Sequence, residues 1–238
     1  MLGPVRREPV ATIEGSQGLR RDQILEFTVL VVLYLLQMVN AEMLRRAIRA
    51  HAAWQRNHSL LARLVALITD TVHPWAMLLI GLWLLLLAAA ILLRRRLPRW
   101  SFDALGLWFA IRLVLEFLII NVLVFEPALV APGVLLGQIV LYLPFFVLCW
   151  GWFLHRIDWV GRPSPGEMVH LLDTDPSRGV SRFDYFHSAI NTLLNKGKPT
   201  IIGVSRTGRI AMLIFNGMLL CLYTVAFARI LQLTRAVF

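Results

Sequence analysis

The sequence predicts an all-α integral membrane protein with about five transmembrane helices, an interfacial amphipathic helix and a re-entrant pore helix and loop. Of its 238 residues, 58% are hydrophobic and only 16% are charged, which is too apolar for a soluble domain of this length. Several apolar runs reach the roughly 20 residues that a helix needs to cross a bilayer. Before the last of these runs lies a polar stretch that contains one short helical pattern.

The basic charge of the chain fits this class. The formal net charge is +10, and basic residues that flank spans bind anionic head groups and set topology. We therefore expect the lipid bilayer, and not nucleic acid, as the charged partner. The two cysteines, Cys149 and Cys221, each lie inside an apolar run and form no CxxC motif, so we expect no disulfide, metal or other cofactor. No catalytic motif occurs, and we predict that the protein is not an enzyme.

Residues 24–131 are predicted to form a helical membrane domain with three spans, preceded by a polar tail at residues 1–23. The spans are expected at about residues 24–43, 75–93 and 102–125. Between the first two, apolar and basic residues alternate at helical spacing up to Ile68, which predicts an amphipathic helix lying at the membrane interface. We expect this helix to end in the stretch TDTVHPW, because the residue before Pro74 is disfavoured in a helix.

Residues 132–238 show a different order of segments. A fourth span at about 134–154 is followed by a polar stretch, the short helical pattern DYFHSAINTLL, the extended stretch NKGKPTIIGVSRTGR and a last span at about 210–233. Non-helical backbone is tolerated at membrane depth only where protein or a water-filled cavity surrounds it. The order therefore predicts a re-entrant pore helix and loop, with a plain surface loop between two spans as the alternative.

The stretch FDYFHSAINTLLNKGKPTIIGVSRTGRIAMLIFNGM resembles the pore helix, filter and inner helix of the potassium-channel pore module, as found in small prokaryotic two-helix-pore channels. The resemblance implies a homo-oligomer, most simply a tetramer, in a bacterial inner (cytoplasmic) membrane, because one subunit supplies only one pore loop. It also implies roles for individual residues: a pore helix at Phe183–Leu194, a threonine before the filter at Thr192, filter positions at Asn195, Lys196, Gly197, Lys198 and Pro199, an outer-mouth turn at Thr200, and an inner-helix hinge at Gly217.

The filter-equivalent segment departs from the Thr-Val-Gly-Tyr-Gly pattern of that family. A potassium filter lines its axis with backbone carbonyls, and its glycines adopt conformations that other residues rarely take. Pro199 stands at the second glycine position with its φ locked near −65°. Lys196 and Lys198 are the only lysines among the 24 basic residues, and two like charges about 8 Å apart repel by roughly 2 kcal/mol at an effective dielectric constant of about 20. We therefore expect no potassium selectivity.

Three interpretations of this segment stay open. The first is a pore that is anion-permeable or weakly selective, because basic rings favour anions. In the second, the lysines pair with Asp173, Asp175 or Asp184 and only hold the loop in place. In the third, the module does not conduct and serves as an accessory or structural subunit of a larger membrane complex.

Charged residues also occur inside the third span. Arg112 and Glu116 lie one helical turn apart, and charges at that depth are costly and usually functional. We expect a buried ion pair that holds this helix to its neighbours, with gating or partner contact as the alternative. Asn121, Gln138 and Glu126 are expected to add interhelical hydrogen bonds, and Ser181-x-x-Asp184 predicts a capping box at the start of the short helix.

The two signals for membrane orientation disagree. The channel family places the pore loop outside, which here puts the N-terminus outside too. The distribution of arginines slightly favours the opposite orientation under the positive-inside rule. We expect the channel orientation, because the order of segments is the more specific signal.

Overall fold

The computed structural model describes residues 14–50, 60–93, 98–125, 131–159, 168–173, 180–194 and 200–235. The helices are α1 (Glu14–Ala50), α2 (Leu60–Leu67), α3 (His73–Leu92), α4 (Arg99–Phe125), α5 (Pro132–Trp159), α6 (Arg182–Leu194) and α7 (Arg206–Arg235). Two short strands, β1 (Val169–Leu171) and β2 (Ile201–Gly203), pair antiparallel.

Five helical segments are long and apolar enough to cross a membrane, so the integral-membrane class is confirmed at this level. They are Gln23–Ala50, Arg63–Leu92, Arg99–Phe125, Pro132–Asp158 and Arg206–Thr224. Large apolar side chains on their outer sides stay exposed, for example Leu85 and Leu86 of α3 at 68% and 62%. Lipid tails would cover these side chains. The two-stranded sheet is an addition that the all-α prediction did not contain.

The first helix is longer than the sequence predicted. It begins at Glu14, inside the predicted polar tail, and it continues to Ala50 instead of ending near residue 43. Extending an existing helix adds one hydrogen bond for each residue fixed, so α1 readily continues to Ala50 through a stretch without Gly or Pro. Residues 1–13 lie outside the described residues.

The predicted helix break before Pro74 is wrong. A π-helical turn at Ile68–Val72 joins α2 to α3, and the backbone N–H of His73 donates to the carbonyl oxygen of Ile68, five residues back. In this pattern the carbonyl of Thr69 would pair with residue 74, which as proline has no N–H. Arg45 lies 3.5 Å from that carbonyl oxygen and donates to it through Nη2.

The separate interfacial helix is therefore not observed in the described part of its range. Residues 41–50 belong to α1. Residues 60–68 belong to a continuous helical segment that passes through the π-helical turn into α3. Residues 51–59 lie outside the described residues. Alternating apolar and basic residues indicate a helix at the interface, but they do not distinguish a free helix from the ends of two spanning ones.

The core lies around α5. Its Tyr142 and Phe146 are at most 1% exposed, and α1, α4 and α6 pack around this helix. The last helix packs on α5 through aromatic rings. Phe215 of α7 stacks on Phe146 with ring centroids 5.1 Å apart, and Trp150 contacts the ring of Phe215 edge-on with centroids 5.3 Å apart. Such pairs add to the free energy gained by burial alone.

Charged side chains mark the two ends of the bundle. At one end, Arg156 of α5 lies 3.2 Å from Glu26 of α1 and donates to Asp103 of α4. At the other end, Arg45 lies 3.3 Å from Glu42 and 3.8 Å from Asp70. Glu26 and Arg45 are about 28 Å apart along α1 at 1.5 Å per residue, close to the ~30 Å thickness of the hydrocarbon layer. We name the first the sheet end, because β1 and β2 lie there, and the second the opposite end.

Candidate functional site

The short helix predicted as a pore helix is present as α6, which begins at the sheet end. One half of its predicted capping box is observed: the Asp184 carboxylate accepts a hydrogen bond of 2.6 Å from the backbone N–H of Ser181. One side of the helix is buried, with Tyr185 at 0% exposure. Phe186 packs over Gly151 of α5 so closely that a β-carbon on Gly151 would lie 2.4 Å from its ring. The absence of a side chain at Gly151 therefore lets α6 dock on the bundle.

Asp158, near the end of α5, is a residue that the sequence interpretation missed. Its side chain is fully buried. One oxygen accepts from the backbone N–H groups of Met168 and Val169 at 2.8 and 3.2 Å, and the hydroxyl of Tyr185 donates to the other. Asp158 thus joins α5, β1 and α6. A signal was available, because an acid in the last turn of an apolar helix is disfavoured by the helix dipole and so indicates a specific partner.

The predicted extended stretch after α6 contains β2, which pairs with β1. Val169 lies opposite Gly203, and Leu171 lies opposite Ile201. The carbonyl of Thr200 accepts from the backbone N–H of Leu172 at 2.8 Å. The residues that follow the filter-equivalent segment are therefore fixed to the segment that precedes α6, an arrangement that needs a pairing across about 30 residues of chain and that no local pattern predicts.

Two threonines that flank the filter-equivalent segment in the chain are in contact with each other. The hydroxyls of Thr192 and Thr200 are in hydrogen-bond contact, and each lies 2.9 Å from the carbonyl oxygen of Ser188. These contacts bring the end of α6 next to the start of β2. The filter-equivalent residues themselves lie outside the described residues: Asn195, Lys196, Gly197, Lys198 and Pro199.

The acids proposed as lysine partners have other contacts. Asp173 accepts from Asn191 at 2.9 Å and from the hydroxyl of Ser188, and His187 lies 3.5 Å away. Asp184 caps α6. Asp175, the third acid named for this role, lies outside the described residues. The interpretation in which acids hold the lysines thus stays a prediction.

The last helix has one side that touches nothing else in the described part of the chain, and we name it the open face. Leu213 and Leu220 on it are 73% and 68% exposed, and a β-carbon added at the predicted hinge, Gly217, would meet no atom within 4 Å. The helix runs through Gly217 without interruption. Residues three and four apart share one side of a helix, and the open face consists of Leu213, Asn216, Gly217, Leu220 and Thr224.

The predicted ion pair inside the membrane domain is present. Arg112 Nη2 lies 2.8 Å from Glu116 Oε1, and the two residues are 4% and 3% exposed. Asn40 of α1 donates to the other carboxylate oxygen at 2.7 Å. His73 of α3 lies 3.0 Å from Arg112 Nη2 through Nδ1, which must accept because a guanidinium only donates. The pair thus holds α1, α3 and α4 together, as expected.

A fourth helix joins this cluster. Gln138 of α5 donates to the backbone carbonyl of Asn40 at 2.9 Å, as predicted. Asn121 instead donates to the carbonyl of Phe117 in its own helix, and Glu126 lies outside the described residues. Among the described residues, no group of three or more His, Cys, Asp or Glu side chains could hold a metal ion.

Comparisons with known proteins leave the family open. No protein-family model matches the chain, no curated protein matches it, and no solved structure matches it. The resemblance to the potassium-channel pore module therefore rests on the residues quoted above and stays a prediction.

Proposed function

We propose that this protein is a channel-like membrane protein that assembles as a symmetric homo-oligomer, most simply a tetramer, around a pore without potassium selectivity. The observation that carries the proposal is the open face of α7. Asn216 lies about 15 Å along the helix from Arg206, near the middle of a ~30 Å hydrocarbon layer, and its side chain is exposed.

An amide in contact with lipid is unfavourable, because the hydrocarbon offers it no hydrogen-bond partner. Small and polar residues on a membrane helix are typical of surfaces that meet another helix or a water-filled cavity. Asn216, Gly217 and Thr224 form such a surface. Symmetric copies of α7 around one axis would give every Asn216 a polar neighbourhood, either in a partner helix or in a water-filled cavity.

The position of the filter-equivalent segment supports the same arrangement. It lies between α6 and β2 in the chain, and both of these elements lie close to α7: the hydroxyl of Tyr223 donates to the carbonyl of Leu193, and a β-carbon on Gly203 would lie 2.5 Å from the backbone of Arg209. An axis lined by α7 would therefore bring the segments of all subunits together. Since this segment contains two lysines, we propose an anion-permeable or weakly selective pore. We place the protein in a bacterial inner membrane with the sheet end outside, as the channel resemblance implies.

A second candidate is a non-conducting accessory or structural subunit of a larger membrane complex. It is favoured by the backbone carbonyls next to the filter-equivalent segment, which already accept hydrogen bonds within or beside the sheet. The carbonyl of Thr200 accepts from Leu172, and that of Met168 accepts from Val204 at 2.9 Å. Carbonyls that hold the sheet together are not free to face an ion. In this case, the open face of α7 packs on a different protein.

Ion flux through the purified protein in liposomes under a potassium chloride gradient tests the proposal. We expect a current that reverses near the chloride potential and that is lost or inverted in a Lys196→Ala/Lys198→Ala variant. An Arg6→Ala/Arg7→Ala variant removes the same charge far from the segment in sequence and serves as the matched control. A potassium-selective current would contradict the proposed selectivity.

The oligomeric state is tested separately. In a Cys221→Ser background, Asn216→Cys is expected to form disulfide-linked dimers in the membrane under oxidising conditions. Leu85→Cys, on an exposed side of α3, is expected to form none. A monomeric, silent protein would refute the proposed channel, and an electrically silent oligomer would favour the second candidate.

A further inference from the structure

Buried polar atoms without a hydrogen-bond partner are concentrated around Arg112 and Glu116. Gln37 is 2% exposed, and both atoms of its amide lack a partner among the described residues. More than nine in ten buried polar groups in proteins are hydrogen-bonded, so a cluster of unpaired ones indicates a missing partner. The other atoms of this cluster without a hydrogen bond are Asn40 Oδ1, Arg112 Nε and Gln138 Oε1.

Three of the polar side chains meet at one cavity. Gln37, Asn40 and Glu116 line a narrow space between α1, α4 and α5, together with Tyr142. The space is too narrow in this conformation to admit a water molecule without side-chain motion. The amide of Gln37 has no hydrogen bond to hold it, so a rotation of this side chain can make room.

The chemistry of the unpaired atoms indicates the occupant. A metal cation needs only acceptors, and beside Arg112 it would leave a net positive charge in a medium of low dielectric constant. An anion would meet the carboxylate of Glu116. Gln37 offers a donor and an acceptor, and Asn40 offers another acceptor. Water is neutral, donates and accepts, and binds in buried sites where it finds two to four polar partners.

We propose that Gln37, Asn40 and Glu116 form a water-binding site inside the membrane-spanning bundle, filled from the opposite end. On the side toward that end, His73 follows Asp70 by three residues, and its Nδ1 accepts from Arg112, the partner of Glu116. At the end itself, Arg45 Nε and Asp70 Oδ1 lie 3.8 Å apart, which is too far for a hydrogen bond and suits a bridging water.

The side toward the sheet end is closed by apolar residues. Leu33 precedes Gln37 by one turn of α1, Phe109 precedes Arg112 on α4, and Phe146 follows Tyr142 on α5. None of these three is more than 1% exposed. We therefore expect water to reach the site from the opposite end only. The inference does not depend on the proposed channel, whose filter-equivalent segment lies in a different part of the chain.

The test measures how fast a thiol at the site reacts with a water-soluble methanethiosulfonate reagent. The background is Cys149→Ala/Cys221→Ser, and the two variants compared are Gln37→Cys and Leu33→Cys. We expect the thiol at position 37 to react at least about tenfold faster, because the reactive thiolate forms only where water reaches the sulfur. Equal rates at both positions would overturn the proposal.

The direction of entry is tested in sealed proteoliposomes with a charged, membrane-impermeant reagent. Arg49→Cys marks the opposite end and Trp100→Cys marks the sheet end, since both residues are well exposed. We expect Gln37→Cys to be labelled from the same side as Arg49→Cys. Labelling from the side of Trp100→Cys would contradict the proposed path.

A stability measurement covers the case in which the cysteine variants do not fold. If the site is dry, Gln37→Met removes an unpaired amide and should raise the unfolding temperature in detergent. If the site holds water, the same change removes a partner of that water, and we expect the unfolding temperature to fall. A rise would overturn the proposal.

Discussion

Two ionic clusters among the described residues, one at the sheet end and one in the centre of the bundle, differ in depth and in the groups that complete them. At the sheet end, Arg156 is shared by Glu26 and Asp103, and the side chain of Asp103 is 45% exposed. In the centre, Arg112 faces only Glu116, and their side chains are 5% and 4% exposed. The first cluster reaches solvent through Asp103, whereas the second is buried.

The difference follows from the distance to water. Near the membrane surface, solvent and head groups stabilise charged groups, so each charge there depends less on its counter-charge. In the centre, a charge without a counter-charge is strongly unfavourable, so the remaining hydrogen bonds come from neutral groups, His73 and Asn40. The central cluster should therefore be sensitive to any change of charge, and the sheet-end cluster should be tolerant.

The largest effect is expected for Glu116→Leu. This change leaves the guanidinium of Arg112 buried without its counter-charge, and we expect a loss of about 3–5 kcal/mol in the free energy of unfolding. Thermal or denaturant unfolding in detergent, followed by tryptophan fluorescence, measures it.

The double variant Arg112→Met/Glu116→Leu should recover most of this loss, because it removes both charges together. Leu118→Ala is the matched control, since this residue lies on an exposed side of the same helix with 52% of its surface accessible. A single Glu116 variant no less stable than the Leu118 variant would contradict the importance of the pair.

The central pair could be predicted from the sequence, and the sheet-end cluster could not. Arg112 and Glu116 stand one turn apart on one helix, so any helix through them brings them together. Glu26, Asp103 and Arg156 come from three helices and meet only through the packing of the bundle. The same reason explains Asn40 and His73, which no local pattern connects to Arg112 or Glu116.

A smaller effect is expected for Arg156→Met. The change leaves Glu26 and Asp103 without their common partner, but water reaches Asp103. We expect a loss of about 1–2 kcal/mol, between the values typical of surface and buried pairs. Arg46→Met is the control, because the Arg46 side chain is 79% exposed and pairs with Glu42 on the same helix. A loss as large as that of Glu116→Leu would remove the distinction between the two clusters.

The dependence of the two coupling energies on salt gives a further test of the difference between the clusters. Double-mutant cycles measure the coupling of Arg156 with Asp103 and that of Arg112 with Glu116 at low and high salt. Between about 0.1 and 1 M the screening length falls from roughly 10 to 3 Å, but buried pairs are screened much less. We expect the sheet-end coupling to fall by several tenths of a kcal/mol and the central coupling to stay constant. Equal salt dependence would show that mobile ions screen both clusters alike.

The region around α6 shows a second limit of prediction from sequence. Its short helix and cap were predicted, because both depend on neighbouring residues such as Ser181 and Asp184. The pairing of β1 with β2 was not predicted, because three-residue strands carry no clear alternation and their partner lies far along the chain. By resemblance, Thr192 was assigned to the position before the filter and Thr200 to the outer-mouth turn. The structure places the hydroxyls of these two residues in contact with each other.

The smallest effect is expected at the contact between Thr192 and Thr200. This contact contains no charge and so serves as a reference for both ionic clusters. Thr200→Val keeps the shape of the side chain but removes the hydroxyl that contacts Thr192 and Ser188, at a cost of about 1 kcal/mol. The loss should be independent of salt.

Hydrogen exchange should become faster at Leu172, whose N–H donates to Thr200. Thr224→Val, which removes a hydroxyl bonded only within α7, should leave the exchange at Leu172 unchanged. Faster exchange in both variants would mean that Leu172 responds to general loosening of the fold and not to the contact between the two threonines.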